Sequence, residues 1–172
     1  MKLSTIQNDM NTLIVYFSRT GRTKKVAEEI KKLLDADIDE IQDVKKRSGI
    51  IGWLTAGKDA TSKNITKLKD VDKVPSEYEL VIIGSPTWNG AVSTPIRTYL
   101  LEYKDSFLNV ALFSTGDGEE TDALNEMDSL IDNKSIAKLH LVRKSEIDTI
   151  QYKKKLEEFI ATIKVNKTSF LK

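Results

Sequence analysis

Cysteine is absent from the 172 residues, which excludes disulfides, iron–sulfur clusters and thiolate catalysis. The lone histidine, His140, leaves too few nitrogen ligands for a transition metal, so no metal site is expected. Any redox chemistry must therefore come from an organic cofactor. No apolar run approaches the roughly 20 residues that span a bilayer, and Met1–Asn11 lacks the hydrophobic block of a secretory signal. These absences predict a cytoplasmic protein without membrane insertion. Lys and Arg number 27 against 26 for Asp and Glu, and a formal charge of +1 gives no basis for nucleic-acid binding. A 40% hydrophobic content at this length predicts one globular domain over residues 12–172, preceded by a frayed extension over residues 1–11.

What is present is alternation. Thr12–Phe17 is a short apolar, β-branched run that stops at Ser18-Arg19-Thr20-Gly21, and it reads as a buried strand. From Arg22 the spacing becomes helical, with Val26, Ile30, Leu33 and Leu34 on one stripe and Lys and Glu on the other faces. Further strands are expected at Ala36–Ile41, Glu79–Gly84, Asn109–Phe113 and Ala137–Val142. Helices are expected at Thr94–Tyr103, where Pro95 suits the first turn, at Thr121–Ile131 and at Ile147–Val165. Strands alternating with helices imply an α/β fold, a parallel sheet covered on both faces by right-handed crossovers. Gln42–Val74 is the least regular stretch, because Gly49, Gly52 and Gly57 interrupt any helix around Ile50, Ile51, Trp53 and Leu54; a short helix between long irregular segments is expected there.

Three loops after predicted strands carry the chemistry. The first, Ser18-Arg19-Thr20-Gly21-Arg22-Thr23, opens the first helix, where unpaired N–H groups and the positive end of the dipole attract an anion. Gly21 permits a backbone geometry barred to other residues, and Ser18, Thr20 and Thr23 supply hydroxyl donors. Neither G-x-x-x-x-G-K-[ST] nor G-x-G-x-x-G occurs here, so a monophosphate fits better than a triphosphate or a dinucleotide. The second loop, Ser85-Pro86-Thr87-Trp88-Asn89-Gly90, places a tryptophan among turn formers at the carboxyl edge of the sheet, where open α/β folds bind ligands. Trp88 offers a π-face to a planar ring, against the alternative of an ordinary packing aromatic. The third, Ser114-Thr115-Gly116-Asp117-Gly118, leaves backbone N–H groups approachable.

Together the three segments resemble the FMN loops of the flavodoxin family, over about Thr12 to Val165. The resemblance implies a doubly wound, three-layer α/β/α sandwich whose five-stranded parallel sheet is ordered 2-1-3-4-5, with FMN at the switch point. It implies Ser18–Thr23 around the phosphate, Trp88 stacked on the ring, Asn89-Gly90 beside flavin N5, and backbone of Ser114–Gly118 at the pyrimidine side. Three features depart from the family pattern. No aromatic follows the third loop among Glu119, Glu120, Thr121, Asp122 and Ala123, which leaves one ring face open; the charge is near neutral where electron carriers are usually acidic; and Arg19 and Arg22 flank the phosphate loop. Two functions follow: a carrier moving electrons between redox partner proteins, or a reductase taking NAD(P)H and a quinone at the open face. A fold that binds a partner without flavin is the third reading, and it leaves the three loops unexplained.

Other residues read more plainly. His140 is expected to be a strand residue facing a helix, with nothing nearby to orient it, and Lys153–Lys155 the solvated face of the last helix. For Gln42–Val74 we expect a crossover helix packed on the sheet; the competing role is a substrate wall or homodimer contact built from Trp53 with Lys45, Lys46, Arg47 and Lys58.

Overall fold

The computed structural model describes residues 10–44, 49–118, 121–142 and 149–170. Its strands are β1 (Thr12–Tyr16), β2 (Asp37–Glu40), β3 (Leu80–Trp88), β4 (Ala91–Val92), β5 (Val110–Gly116) and β6 (Ala137–Val142). Its helices are α1 (Arg22–Leu34), α2 (Gly49–Thr61), α3 (Thr94–Tyr103), α4 (Ala123–Ser129) and α5 (Ile150–Phe170). The sheet runs β2-β1-β3-β5-β6, all parallel, and β4 pairs antiparallel with the end of β3. Without the short β4, this is the expected order 2-1-3-4-5.

Strand periodicity builds the two cores. Ile14 and Tyr16 of β1, Leu80 and Ile82 of β3 and Phe113 of β5 face α1 and α5, whose Val26, Ile30, Leu156, Phe159 and Ile163 fill that side. Leu13, Val15, Val81, Ile83 and Leu112 face the other way, onto Ala56 and Ala60 of α2, Ile96, Tyr99 and Leu100 of α3, and Met127 of α4. A side chain pointing each way along every strand is what a sheet covered on both faces demands.

The chain departs from the sequence expectations in several places. β3 and β5 run on to Trp88 and Gly116, so the first residues of the second and third loops are strand rather than loop. Their ladder explains this: Ser85 and Pro86 stay in register with Ser114 and Thr115. α2 is a regular helix of 13 residues despite its three glycines, and buried Ala56 and Ala60 seat it on the sheet as a crossover helix. The side chains of Ile50, Ile51, Trp53 and Leu54, and residues Lys45, Lys46 and Arg47, lie outside what the structure describes. Met10 and Asn11, expected in the frayed extension, are fixed: Met10 is buried, the Asn11 amide donates to the Glu79 carboxylate at 3.0 Å, and its side chain donates to the Glu77 carbonyl at 2.9 Å. Among the described residues no helix is long and apolar enough to cross a membrane.

The sheet edges are tied by side chains. Burial and a 2.7 Å hydrogen bond to Asp37 push the Tyr78 phenol up to about 12, and the same bond holds the Asp37 carboxyl below its usual range. In the sheet centre the closest packing is at Gly84, where an added Cβ would lie 2.0 Å from the Phe113 ring of the adjacent strand. Gly84→Ala is expected to destabilise the fold by about 1–3 kcal/mol through overpacking. Chemical denaturation checks it, and adding Phe113→Leu is expected to recover part of the loss.

Candidate functional site

All three loops leave the carboxyl edge of the sheet, the first two from β1 and β3, which flank the point where strand order reverses, and the third from the adjacent β5. They line one cavity of about 400 Å³, a volume typical of small-molecule and cofactor sites. Its walls are Arg19, Thr20, Arg22 and Thr23 from the first loop, Pro86–Gly90 from the second, and Thr115–Gly118 from the third.

The first loop starts α1 on a left-handed residue. Gly21 has φ 86°, a region costly for a residue with a Cβ, and its N–H donates to the Ser18 hydroxyl at 3.1 Å. No side chain caps the helix and no acidic residue stands in its first turn, so its leading N–H groups and dipole are kept for an external anion. Arg19 strengthens that reading: its Nε is buried without a hydrogen-bond partner. A buried guanidinium N–H left unpaired is costly, and an anionic oxygen would satisfy it. Arg22 instead reaches across the mouth to Asp117, Nη1 to Oδ1 at 3.8 Å, a partly exposed pair of little energetic weight. Thr23 and Thr115 hydrogen-bond through their hydroxyls at 3.0 Å and so join the first and third loops. Two hydroxyls have two protons; one is used between them and the other remains for a ligand.

The second loop is a two-residue hairpin. Thr87 pairs with Val92 and Trp88 with Ala91, while Asn89 and Gly90 have φ 50° and 78°, the doubly positive pattern of a type I′ turn. Three contacts hold it. The Gly90 carbonyl accepts from the Thr121 hydroxyl at 2.8 Å, and the Val92 amide donates to Glu126 at 3.1 Å. Glu126 also forms an ion pair with Arg97, a residue only 2% exposed. The third contact is Gly57 of α2, where a Cβ would come within 2.9 Å of the Asn89 amide nitrogen. Gly57 lines the cavity too, and it belongs to the stretch least readable in the sequence.

Trp88 differs from the simple stacking expectation. It is 6% exposed and packs edge-on against Phe17, ring centroids 5.6 Å apart, within the α2–α4 core. It still contributes to the cavity wall, so packing and lining are both its roles. Ser85 and Ser114 are fully buried and, with Ser18, do not line the cavity; Ser85 bonds Ser93, hydroxyl to hydroxyl at 2.9 Å, and anchors the hairpin's return. These three serines support the loops from beneath. His140 also departs from expectation: Ser114 and Gly118 both hold its ring.

The flavodoxin family profile matches residues 11–139, three quarters of the chain. The chain belongs to the flavodoxin family. FMN is the cofactor of that family. Among solved structures, the chain is similar to a flavoprotein of Lactobacillus acidophilus NCFM in complex with FMN, at 28% identity over 81% of this chain and 97% of that one, with a TM-score of 0.66. The apo form of the flavoprotein from that organism, solved by NMR, matches at 29% identity, 81% and 96% coverage and a TM-score of 0.60. A candidate flavoprotein of Bacteroides eggerthii DSM 20697, at 18% identity, 91% and 98% coverage and a TM-score of 0.69, shares the fold. No curated protein matches the chain.

Glu126 is the residue on which the hairpin's geometry rests. Glu126→Ala removes the acceptor for the Val92 amide and strands a buried Arg97, and is expected to cost about 3–5 kcal/mol in denaturant unfolding. Glu126→Gln keeps one acceptor and is expected to cost less.

Proposed function

We propose that this protein holds one FMN in the three-loop cavity and carries electrons between redox partner proteins. The observation behind the reading is the convergence of three strand-end loops on one cavity whose helix-start end combines a left-handed Gly21, an uncapped helix N-terminus and a buried, unpartnered Arg19 Nε. That end suits the phosphate monoester, with the first-turn amides, Thr20, the Thr23–Thr115 pair and Arg19 as donors. Trp88 and Pro86 would then form one wall for the ring, and the third loop would lie at its pyrimidine side. Bound FMN supplies one- and two-electron redox chemistry, which no side chain here provides.

The chain's own residues hold and orient. The Gly90 carbonyl accepts from Thr121, and the Asn89-Gly90 turn held in this way would offer a backbone carbonyl to flavin N5. No side chain in the cavity wall need act as acid or base, as befits a protein whose task is to bind and tune a ring.

A second reading draws on a neighbouring cavity of about 750 Å³ that shares Asn89 and Gly90 with the first and is lined further by Lys63, Thr121 and Asn125. It offers room for a small reductant or acceptor beside the ring, as a reductase using NAD(P)H and a quinone requires. Potentiometric titration of the FMN-loaded protein separates the two. Two resolved one-electron steps support the carrier; a single two-electron wave with steady-state NAD(P)H oxidation supports the reductase.

The cofactor placement has its own test. Arg19→Ala is expected to raise the Kd for FMN about tenfold, the weight of one charge-assisted hydrogen bond, and to leave riboflavin binding unchanged. Fluorescence-quenching titrations with both flavins measure this. An equal loss for the two flavins would remove Arg19 from the phosphate site, and failure of the wild type to quench FMN would overturn the cofactor reading.

A further inference from the structure

The third loop contains two glycines in three residues, Gly116-Asp117-Gly118, so its own backbone supplies little stiffness. Its order must come from outside the loop. His140 lies directly opposite Ser114 in the parallel β5–β6 register, and its ring spans the loop from one end to the other. Nδ1 lies 2.7 Å from the Ser114 hydroxyl, and Nε2 lies 2.8 Å from the Gly118 carbonyl. Between these ends the ring passes under Gly116, where an added Cβ would approach His140 Cε1 to 3.3 Å.

The hydrogen-bond chemistry fixes the tautomer. A carbonyl only accepts, so Nε2 carries the proton. In the neutral ring Nδ1 then accepts from the Ser114 hydroxyl, which is fully buried and would otherwise lack a partner at that end.

We propose that His140, as its Nε2–H tautomer, is a positioning residue for the flavin ring: it ties the Gly118 carbonyl to Ser114 beneath the third loop and so fixes the backbone that meets the ring's pyrimidine side. This rests on the FMN placement proposed above. A residue that shapes the ring end of the site acts on any flavin, with or without a phosphate. That distinguishes it from Arg19, whose effect is confined to the phosphate.

The test is binding of FMN and riboflavin to wild type, His140→Ala and His140→Gln, with apo-protein thermal unfolding measured alongside. His140→Ala is expected to raise both Kd values by the same factor, about tenfold. His140→Gln, whose side-chain amide can still donate to the Gly118 carbonyl, is expected to recover most of the loss. Nitrogen-15 NMR of the apo wild type is expected to show the Nε2–H tautomer. Unchanged flavin affinity in His140→Ala, a loss confined to FMN, or a His140→Gln variant no better than alanine would each overturn the proposal; so would the Nδ1–H tautomer. Should the wild type bind neither flavin, the FMN placement itself fails, and the NMR tautomer still reports on the His140 link.

Discussion

Parallel pairing with a single reversal of direction governs this molecule. The chain leaves β1, crosses through α1 to β2 on one side, then returns past β1 to place β3, β5 and β6 in turn on the other. Parallel crossovers are right-handed, so a change in direction across the sheet is also a change of face: α1 covers one face, and α2, α3 and α4 the other. At the carboxyl ends of β1 and β3 the connecting loops therefore part in opposite directions. The crevice between them is a consequence of topology, and the side chains only specify what enters it.

Specification falls to a small set of contacts, each joining elements far apart in sequence. Thr23 and Thr115 bind the first loop to the third, Glu126 and Thr121 hold the hairpin from α4 and its approach, and Gly57 lets α2 lie against Asn89. The buried Arg97–Glu126 pair is less a source of net stability than a geometric commitment, since neither partner tolerates the other's removal. By contrast, Arg19 leaves a buried donor unpaired in the folded protein. At the cavity the contacts that shape its walls are made, and Arg19 Nε is left for a ligand to complete, as in a preorganised binding site.

The sequence made the scaffold legible because its signals are local. The Thr12–Phe17 run, the helical stripe of Val26 and Ile30, and Gly21 at the junction each lie within a few residues of the features they create. The extension of β3 and β5 was not legible, because Pro86, Asn89 and the Gly116–Gly118 pair resemble turn residues until the neighbouring strand supplies a register. Gly57 and His140 were hidden for the same reason. One is a glycine inside a helix and the other a strand histidine, and their partners Asn89, Ser114 and Gly118 lie 22 or more positions away. Trp88 was half legible: its place on the cavity wall follows from the strand end, whereas its edge-on burial against Phe17 depends on the adjacent strand's loop.

In the proposed complex one FMN lies across all three strand ends with its phosphate at the start of α1. Backbone amide chemical-shift mapping during titration of the apo protein with FMN tests it most directly. Saturable shifts are expected at Gly21–Thr23, Asn89–Gly90 and Gly116–Gly118, with riboflavin reproducing the last two groups and sparing the first. Shifts that avoid the start of α1, or that cluster outside the three loops, would contradict it.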